Sequence, residues 1–226
     1  MRFIKKVVLF FIVSIQTFCC SCEIYTQAAA EETVIIIDAG HGGEDSGTIG
    51  TNGALEKDIN LEISRMMRDE LVSRGYTAIL TRDEDRLLYT EEENIKGIRK
   101  MCDLRNRVKI FNSYESAIAV SIHMNAFSAQ NCSGLQIYHS DQVGSKSLAE
   151  CIRDSVKETL QPDNKRPLKK SDDIYLLKNT ICPIVLVECG FLSNPEECEK
   201  LSEKEYKKRL SFSIVCGIIK YMEELC

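Results

Sequence analysis

The stretch IIIDAGHGGEDSG, residues 35–47, ends a run of β-branched apolar residues on an acid and follows it with a histidine set among glycines. Val34-Ile35-Ile36-Ile37 shows no polar alternation, so the strand it forms is buried on both faces, as in the parallel sheets of α/β proteins. Asp38 and His41 then stand at the strand's C-terminal end, where open α/β sheets gather their ligands. Gly40, Gly42 and Gly43 let the backbone turn sharply and keep bulk away from the imidazole.

Outward from this stretch, strand and helix patterns alternate. ALEKDINLEISRMMRDELVSRG, residues 54–75, places Ile59, Ile63, Met66 and Met67 on one helical face and stops at Gly75. YTAILTR (76–82) is a strand, the charged aperiodic residues 82–101 a surface loop, and DLRNRVKIFNSY (103–114) a helix. SAIAVSIHMNA (116–126) reads as a buried strand, SGLQIYHS (133–140) as another, and residues 145–160 as a helix. Pro162 and Pro167 bracket a polar loop, in which KRPLKK (165–170) is a solvated segment. DIYLLKN (173–179) and CPIVLVECGF (182–191) are two further strands, and a closing helix spans 203–224. No repeat, low-complexity linker or shift in composition marks a second domain, so the expectation is a single α/β domain with a mostly parallel sheet flanked by helices.

The first thirty residues read as an address. MRFIKK is basic, VVLFFIVSI is an apolar stretch of signal-peptide length, and AAA at 28–30 offers a small-residue cleavage site. Residues 1–30 are therefore expected to be a signal peptide or signal anchor, and residues 31–226 the folded domain, exported or held at the membrane by an uncleaved signal. Cys19, Cys20 and Cys22 follow no Leu-small-small triplet, which disfavours lipidation. Net charge is −5 for the whole chain, and beyond residue 30 there are 26 basic against 33 acidic side chains. An acidic body without a basic stripe argues against a nucleic-acid partner, whose phosphates require cations. Eight cysteines follow residue 30 and none forms a C-x-x-C pair, which disfavours a structural zinc knuckle. Cys182, Cys189 and Cys216 lie in apolar runs, and mostly free, buried thiols are expected.

Only His41, His123 and His139 are available as imidazoles, and the first two directly follow predicted buried strands. Neutral imidazoles converging at one sheet edge suit Zn²⁺, which takes nitrogen ligands in tetrahedral geometry and, in catalytic sites, a third protein ligand and an open position. Glu56 is the candidate third ligand, in the first turn of the helix that follows the His41 loop; Asp58 and Glu62 are its alternatives. Glu188 stands immediately after an apolar strand, where a carboxylate is rarely buried without a partner, and reads as either a salt-bridged structural acid or a general base whose pKa burial raises. His139, at the end of its own strand, reads as a solvent-facing structural residue.

IIIDAGHGGEDSG, LEKDINLEIS, SIHMNA and VECGFLSN, in this order and spacing, resemble the zinc-dependent N-acetylmuramoyl-L-alanine amidases of bacterial cell-wall hydrolysis. The resemblance runs from residue 33 to 224, and with DIYLLKN it is nearest to the spore-cortex, germination-associated members. It implies a central sheet of about six strands, one zinc ion held by His41, Glu56 and His123, and Glu188 as the catalytic carboxylate. The family usually has Pro where Ala39 stands, an aliphatic residue where Cys189 stands, and varied residues at Met124; all three neighbour the implied site without belonging to it. The 64 residues between His123 and Glu188 are filled by the strands and helix already assigned, leaving no room for the autoinhibitory helix of some relatives.

The implied reaction is hydrolysis of the amide between the lactyl group of N-acetylmuramic acid and L-alanine of the peptidoglycan stem. Asn125 and Arg105 are the candidates for positioning substrate, although Asn125 equally reads as a turn residue and Arg105 as a helix-surface one. Two rivals stand beside this expectation: a different zinc hydrolase of wall material, such as a deacetylase or peptidase, and a catalytically silent wall-binding relative. The absence of H-x-x-E-H and H-E-x-x-H counts against the first, and the retention of both histidines and both acids against the second. An exported hydrolase without a targeting module or a plug is also expected to be controlled by a partner protein or by the timing of its synthesis.

Overall fold

Hydrophobic periodicity assigns most of the elements correctly, and packing corrects the rest. The structure, a computed structural model, describes residues 32–224; the signal-sequence expectation for residues 1–30 lies outside them. In chain order the elements are β1 (Val34–Ala39), α1 (Glu56–Ser73), β2 (Ala78–Leu80), α2 (Arg99–Phe111), β3 (Ala117–Asn125) and β4 (Gln136–His139). They continue with α3 (Ser145–Thr159), β5 (Lys169–Lys170), α4 (Tyr175–Asn179), β6 (Ile184–Phe191), α5 (Pro195–Ser202) and α6 (Lys204–Glu224).

The six strands form one sheet in the order β2-β1-β3-β6-β4-β5. β2, β1, β3 and β6 run parallel, and β4 is antiparallel to β6. This is the single α/β domain with a mostly parallel sheet that the sequence predicts. One sheet face carries Ile35, Ile37, Ile118, Val120, Ile122, Val185 and Val187, packed against Ile59, Ile63 and Met67 of α1, Ile152 of α3 and Ile214 and Ile218 of α6. The other face carries Ile36, Ala117, Ala119, Ile184 and Leu186 against Phe111 of α2 and Leu176 and Leu177 of α4.

That second face is graded, and the gradient locates the site. Because side chains alternate along a strand, the register sets rows across the sheet: Ile36 beside Ala119 and Ile184 is apolar, Asp38 beside Ser121 comes next, and His123 beside Glu188 lies furthest toward the C-terminal edge. Apolar rows anchor the helices, and polar rows face the edge.

Two expectations fail. DIYLLKN is not a strand: residues 175–179 form the short helix α4, in which the adjacent Leu176 and Leu177 are both buried, a pattern a half-buried strand cannot give. Side-chain bonds from Asn179 Nδ2 to Tyr175 O and from Thr180 Oγ1 to Leu176 O secure this turn locally. The edge position is taken instead by β5, from the KRPLKK segment that composition assigns to solvent, and its two lysines are exposed as suits a sheet edge. α5 is an additional helix, capped by Asn194, whose side chain accepts from Glu196 N and Glu197 N, with Pro195 at its first position.

The seven cysteines among the described residues are all unpaired, five of them buried. No helix of the described residues is long and apolar enough to cross a membrane. α3 and α6 approach each other at Gly217, where a Cβ would stand 2.5 Å from Ile152 Cα and 2.7 Å from Cys151 O. Gly217→Ala gains helix propensity of about 1 kcal/mol but forces two backbones apart, at about 1–3 kcal/mol. A thermal melt should therefore fall, and a rise would show that the helices separate freely.

Candidate active site

Four chain segments meet at the C-terminal edge of the parallel strands. The loop after β1 carries His41, the first turn of α1 carries Glu56, the end of β3 carries His123, and β6 carries Glu188. The loop closes back on itself through paired backbone bonds between Gly42 and Asp45, and Gly42 and Gly43 both take positive φ, at 140° and 55°. His41 does so as well, at 62°, an uncommon conformation for a residue with a Cβ.

Glu56 is the hub. Its Oε1 accepts from Met124 N at 3.0 Å, its Oε2 accepts from Thr48 N at 2.7 Å, and the side chain is buried. His123 Nδ1 lies 3.0 Å and His41 Nε2 3.1 Å from the same Oε1. One ligand atom from each of His41, Glu56 and His123 falls within 4.8 Å of the others, and the two rings meet edge-on with centroids 4.9 Å apart. Asp45 approaches the far nitrogen of His41, with Oδ2 at 2.9 Å from Nδ1, an ion-pair distance lying off the line of a hydrogen bond. Asp58 is exposed, and Glu62 pairs instead with Lys207 of α6, so neither alternative to Glu56 reaches the site.

Electrostatics show what this cradle demands. Burial works against a charged His41, yet Asp45 and Glu56 outweigh it and lift the imidazole to about 9. Burial likewise opposes ionisation of Glu56, but the two histidines hold its carboxyl far below the usual range. His41 and Lys100 depress Asp45 in the same way. Two carboxylates therefore favour positive charge at this cluster, and a set of two nitrogens and one oxygen is the donor chemistry of a catalytic zinc. The residues present fit the metal.

Glu188 is different. Burial, reinforced by the Glu56 carboxylate, raises it to about 7 against the opposing pull of both histidines. Its Oε2 is buried without a hydrogen-bond partner, and the residue faces the same cavity of about 320 Å³ as His41, Glu56 and His123. It has no salt-bridge partner among the described residues, which removes the structural reading of this acid.

Glycines make the approach possible. A Cβ on Gly40 would lie 2.3 Å from both Cε1 and Nε2 of His123, and one on Gly47 2.5 Å from Glu56 Oε2 and 2.7 Å from His41 Cδ2. The bulk that Gly40 removes is thus beside His123 rather than His41. Gly40→Ala should turn the His123 ring out of place and lower metal affinity at least about 10-fold, the range seen when ligand orientation is lost. Metal titration of the variant checks this; unchanged affinity would mean that the ring accommodates the methyl.

The substrate-positioning candidates fare unequally. Asn125 ends β3 and its carbonyl accepts from Leu192 N at 2.9 Å, outside the cavity lining. Arg105 is exposed on α2 and is not brought to the site. Two residues on, Arg107 is buried and donates to Asp38, Asp103, Ala39 O and His41 O. Its signal was an Asp103–Arg107 pair at helical i, i+4 spacing, visible but common on solvated helices. Lys100, at the cavity rim 3.0 Å from Asp45, had no sequence signal at all. His139 lies apart, its Nδ1 3.0 Å from Ser140 O.

An α/β sheet whose edge joins a His-Glu-His cluster to a carboxylate with a buried, unpartnered oxygen is an arrangement suited to a hydrolase. The chain belongs to the N-acetylmuramoyl-L-alanine amidase family, whose model matches residues 35–220, and acts on peptidoglycan as such an amidase. It is 38% identical over 192 residues to the germination-specific N-acetylmuramoyl-L-alanine amidase of Bacillus subtilis, covering 84% of this chain and 80% of that protein. Among solved structures it resembles the CwlD amidase of Clostridioides difficile, determined in complex with the GerS lipoprotein, with 40% identity and a TM-score of 0.81 over 85% of this chain and 100% of that one. The amidase AmiC2 of Nostoc punctiforme follows at 31% identity and a TM-score of 0.74, covering 84% and 97% of the two chains. The resemblance read from four motifs is therefore borne out at the level of family, fold and activity.

Proposed function

We propose that His41, Glu56 and His123 hold one zinc ion, that Glu188 is the general base and acid, and that the bond cut joins the lactyl group of N-acetylmuramic acid to L-alanine in spore-cortex peptidoglycan. The observation that carries this reading is the convergence of three donor atoms within 4.8 Å beside a carboxylate whose buried oxygen has no partner. When bound, zinc supplies a Lewis acid that polarises the scissile carbonyl and brings water toward ionisation at neutral pH. Glu188 takes the proton of the attacking water and delivers it to the departing nitrogen, which cannot leave an amide unprotonated. Burial raises this carboxyl above the ordinary carboxylate range, which favours both taking up the proton and giving it back. Asp45 lies behind the His41 ring on its Nδ1 side, so that Nε2 faces Glu56 and the cavity. Asn125, two residues past His123, is kept as a residue that positions substrate; the exposed Arg105 has no support from the geometry.

The cortex as substrate rests on the likeness to the germination-specific and CwlD amidases. The same likeness supports an extracytoplasmic site of action and, since the CwlD amidase is seen with a lipoprotein, a regulatory protein partner. Metal analysis joined to digestion of purified peptidoglycan tests the whole reading. Stoichiometric zinc, loss of activity with chelator, recovery on adding zinc, and release of L-alanine amino groups are the expected results. Released acetate or new reducing ends would identify a different wall hydrolase, and binding without products a silent relative.

A further inference from the structure

The segments that carry His41 and Glu56 are joined by a buried cation with no carboxylate partner. Arg82, just past β2, is 1% exposed. Its Nε donates to Ala39 O at 2.9 Å, Nη2 to Gly40 O at 3.0 Å and to Lys57 O at 2.8 Å, and Nη1 to Glu84 O at 3.1 Å. Every acceptor is a main-chain carbonyl. No ion pair to Arg82 exists among the described residues, and burial together with the neighbouring Arg107 charge opposes its protonation, lowering it to about 10.

The cost of such an arrangement calls for a reason. Buried charges are ordinarily paired with opposite charges, and a second positive charge close to a divalent cation site is unfavourable in itself. What a guanidinium offers is a rigid planar fork of five donors. Here the fork spans two chain segments: Ala39 and Gly40 immediately precede His41, and Lys57 immediately follows Glu56. Asn60 Nδ2, also in α1, reaches the same Gly40 carbonyl at 3.2 Å. The carbonyls of Ala39 and Gly40 are thereby satisfied, and the first turn of α1 is tied to the loop that must meet it.

We propose that Arg82 is a positioning residue for metal capture: by bridging the carbonyls before His41 to the carbonyl after Glu56, it sets the separation of these two ligands before any ion arrives. The proposal rests on the ligand set given under Proposed function. Preorganisation of this kind acts on affinity, because the bound ion no longer has to order the ligands.

The test is zinc affinity of the metal-free protein, measured by competition with a chromophoric chelator. It compares the wild type, Arg82→Lys, Gly217→Ala and His41→Ala, with each fold checked by circular dichroism. Arg82→Lys keeps the charge but replaces the fork with a single point donor, and is expected to bind zinc about 10–100-fold more weakly. Gly217→Ala, remote at the α3–α6 contact, is expected to lose thermal stability without losing affinity. Wild-type affinity in a folded Arg82→Lys protein overturns the proposal. So does an equal loss in both variants, since affinity would then follow global stability. If the lysine variant does not fold, Arg82→Gln, which removes the buried charge and keeps one amide donor, is read against the same two outcomes. Equal zinc binding by the wild type and His41→Ala would instead remove the ligand set itself, and the bridge with it.

Discussion

Glu188→Gln is expected to lower kcat on peptidoglycan by about 10²–10⁴-fold, the range for loss of a positioned proton carrier, while zinc content and fold stay as in the wild type. Glutamine keeps the shape and polarity of the side chain but cannot accept the proton of water. In the wild type, activity should rise with pH as Glu188 ionises. That limb lies below its metal-free value of about 7, because a bound cation favours the carboxylate. A pH profile of kcat/KM locates it, and an unaltered acid limb in the variant would assign the limb to another group. The same substitution has a consequence for stability. Burial raises Glu188 in the folded state above its ordinary value of 4.5, so the metal-free wild type loses stability as pH climbs from 4.5 through about 7. The glutamine variant escapes this loss and should be more stable by about 1–3 kcal/mol at pH 8, and nearly equal at pH 4. Activity and stability move in opposite directions here, as expected where a carboxylate is buried for function.

Arg107→Met should cost about 3–5 kcal/mol of stability, the penalty for stranding the partner of a buried ion pair. Arg107 Nη1 stands 2.5 Å from Asp38 Oδ1, and the two side chains are 1% and 0% exposed. Ser121 and Thr81 also donate to Asp38, and together these partners hold it below its ordinary value of 3.8 against the opposing effect of burial. Asp38 therefore stabilises the wild type at neutral pH, and that contribution is lost as pH falls toward its depressed value. Without Arg107, burial dominates and the sign reverses: the variant recovers as Asp38 becomes protonated, so the gap from wild type narrows on acidification. Chemical denaturation at pH 7 and at pH 4 measures this gap. A constant gap would assign the loss to the bonds Arg107 makes with Asp103, Ala39 O and His41 O.

Much of the site was legible because its parts end recognisable strands. Val34–Ile37 and Ala117–Val120 are apolar runs whose length and branching suit a covered sheet, and each is followed by a histidine within a few residues. Glu188 stood out because it stands immediately after such a run. Glu56 was harder to single out, since Asp58 and Glu62 share its helix and only the turn facing the strand edge distinguishes it. Where the reading failed, two conformations competed closely. Ile174–Leu177 has strand-forming composition, but burial of both adjacent leucines against the α2 face selects a helical turn.

The sequence by itself determined the buried strands β1, β3 and β6, the helix α1, and the sheet edge at which His41, His123 and Glu188 gather, because side-chain periodicity and backbone preference act over a few residues. Only the tertiary structure decided which charged residues enter the interior. Arg107 meets Asp38 across 69 positions and Arg82 meets Gly40 across 42, while Arg105, with the same chemistry and two residues away, stays in solvent. Burying an arginine is favourable only where packed elements supply several acceptors at once, and that convergence exists only after α1, α2 and the His41 loop have docked on the sheet.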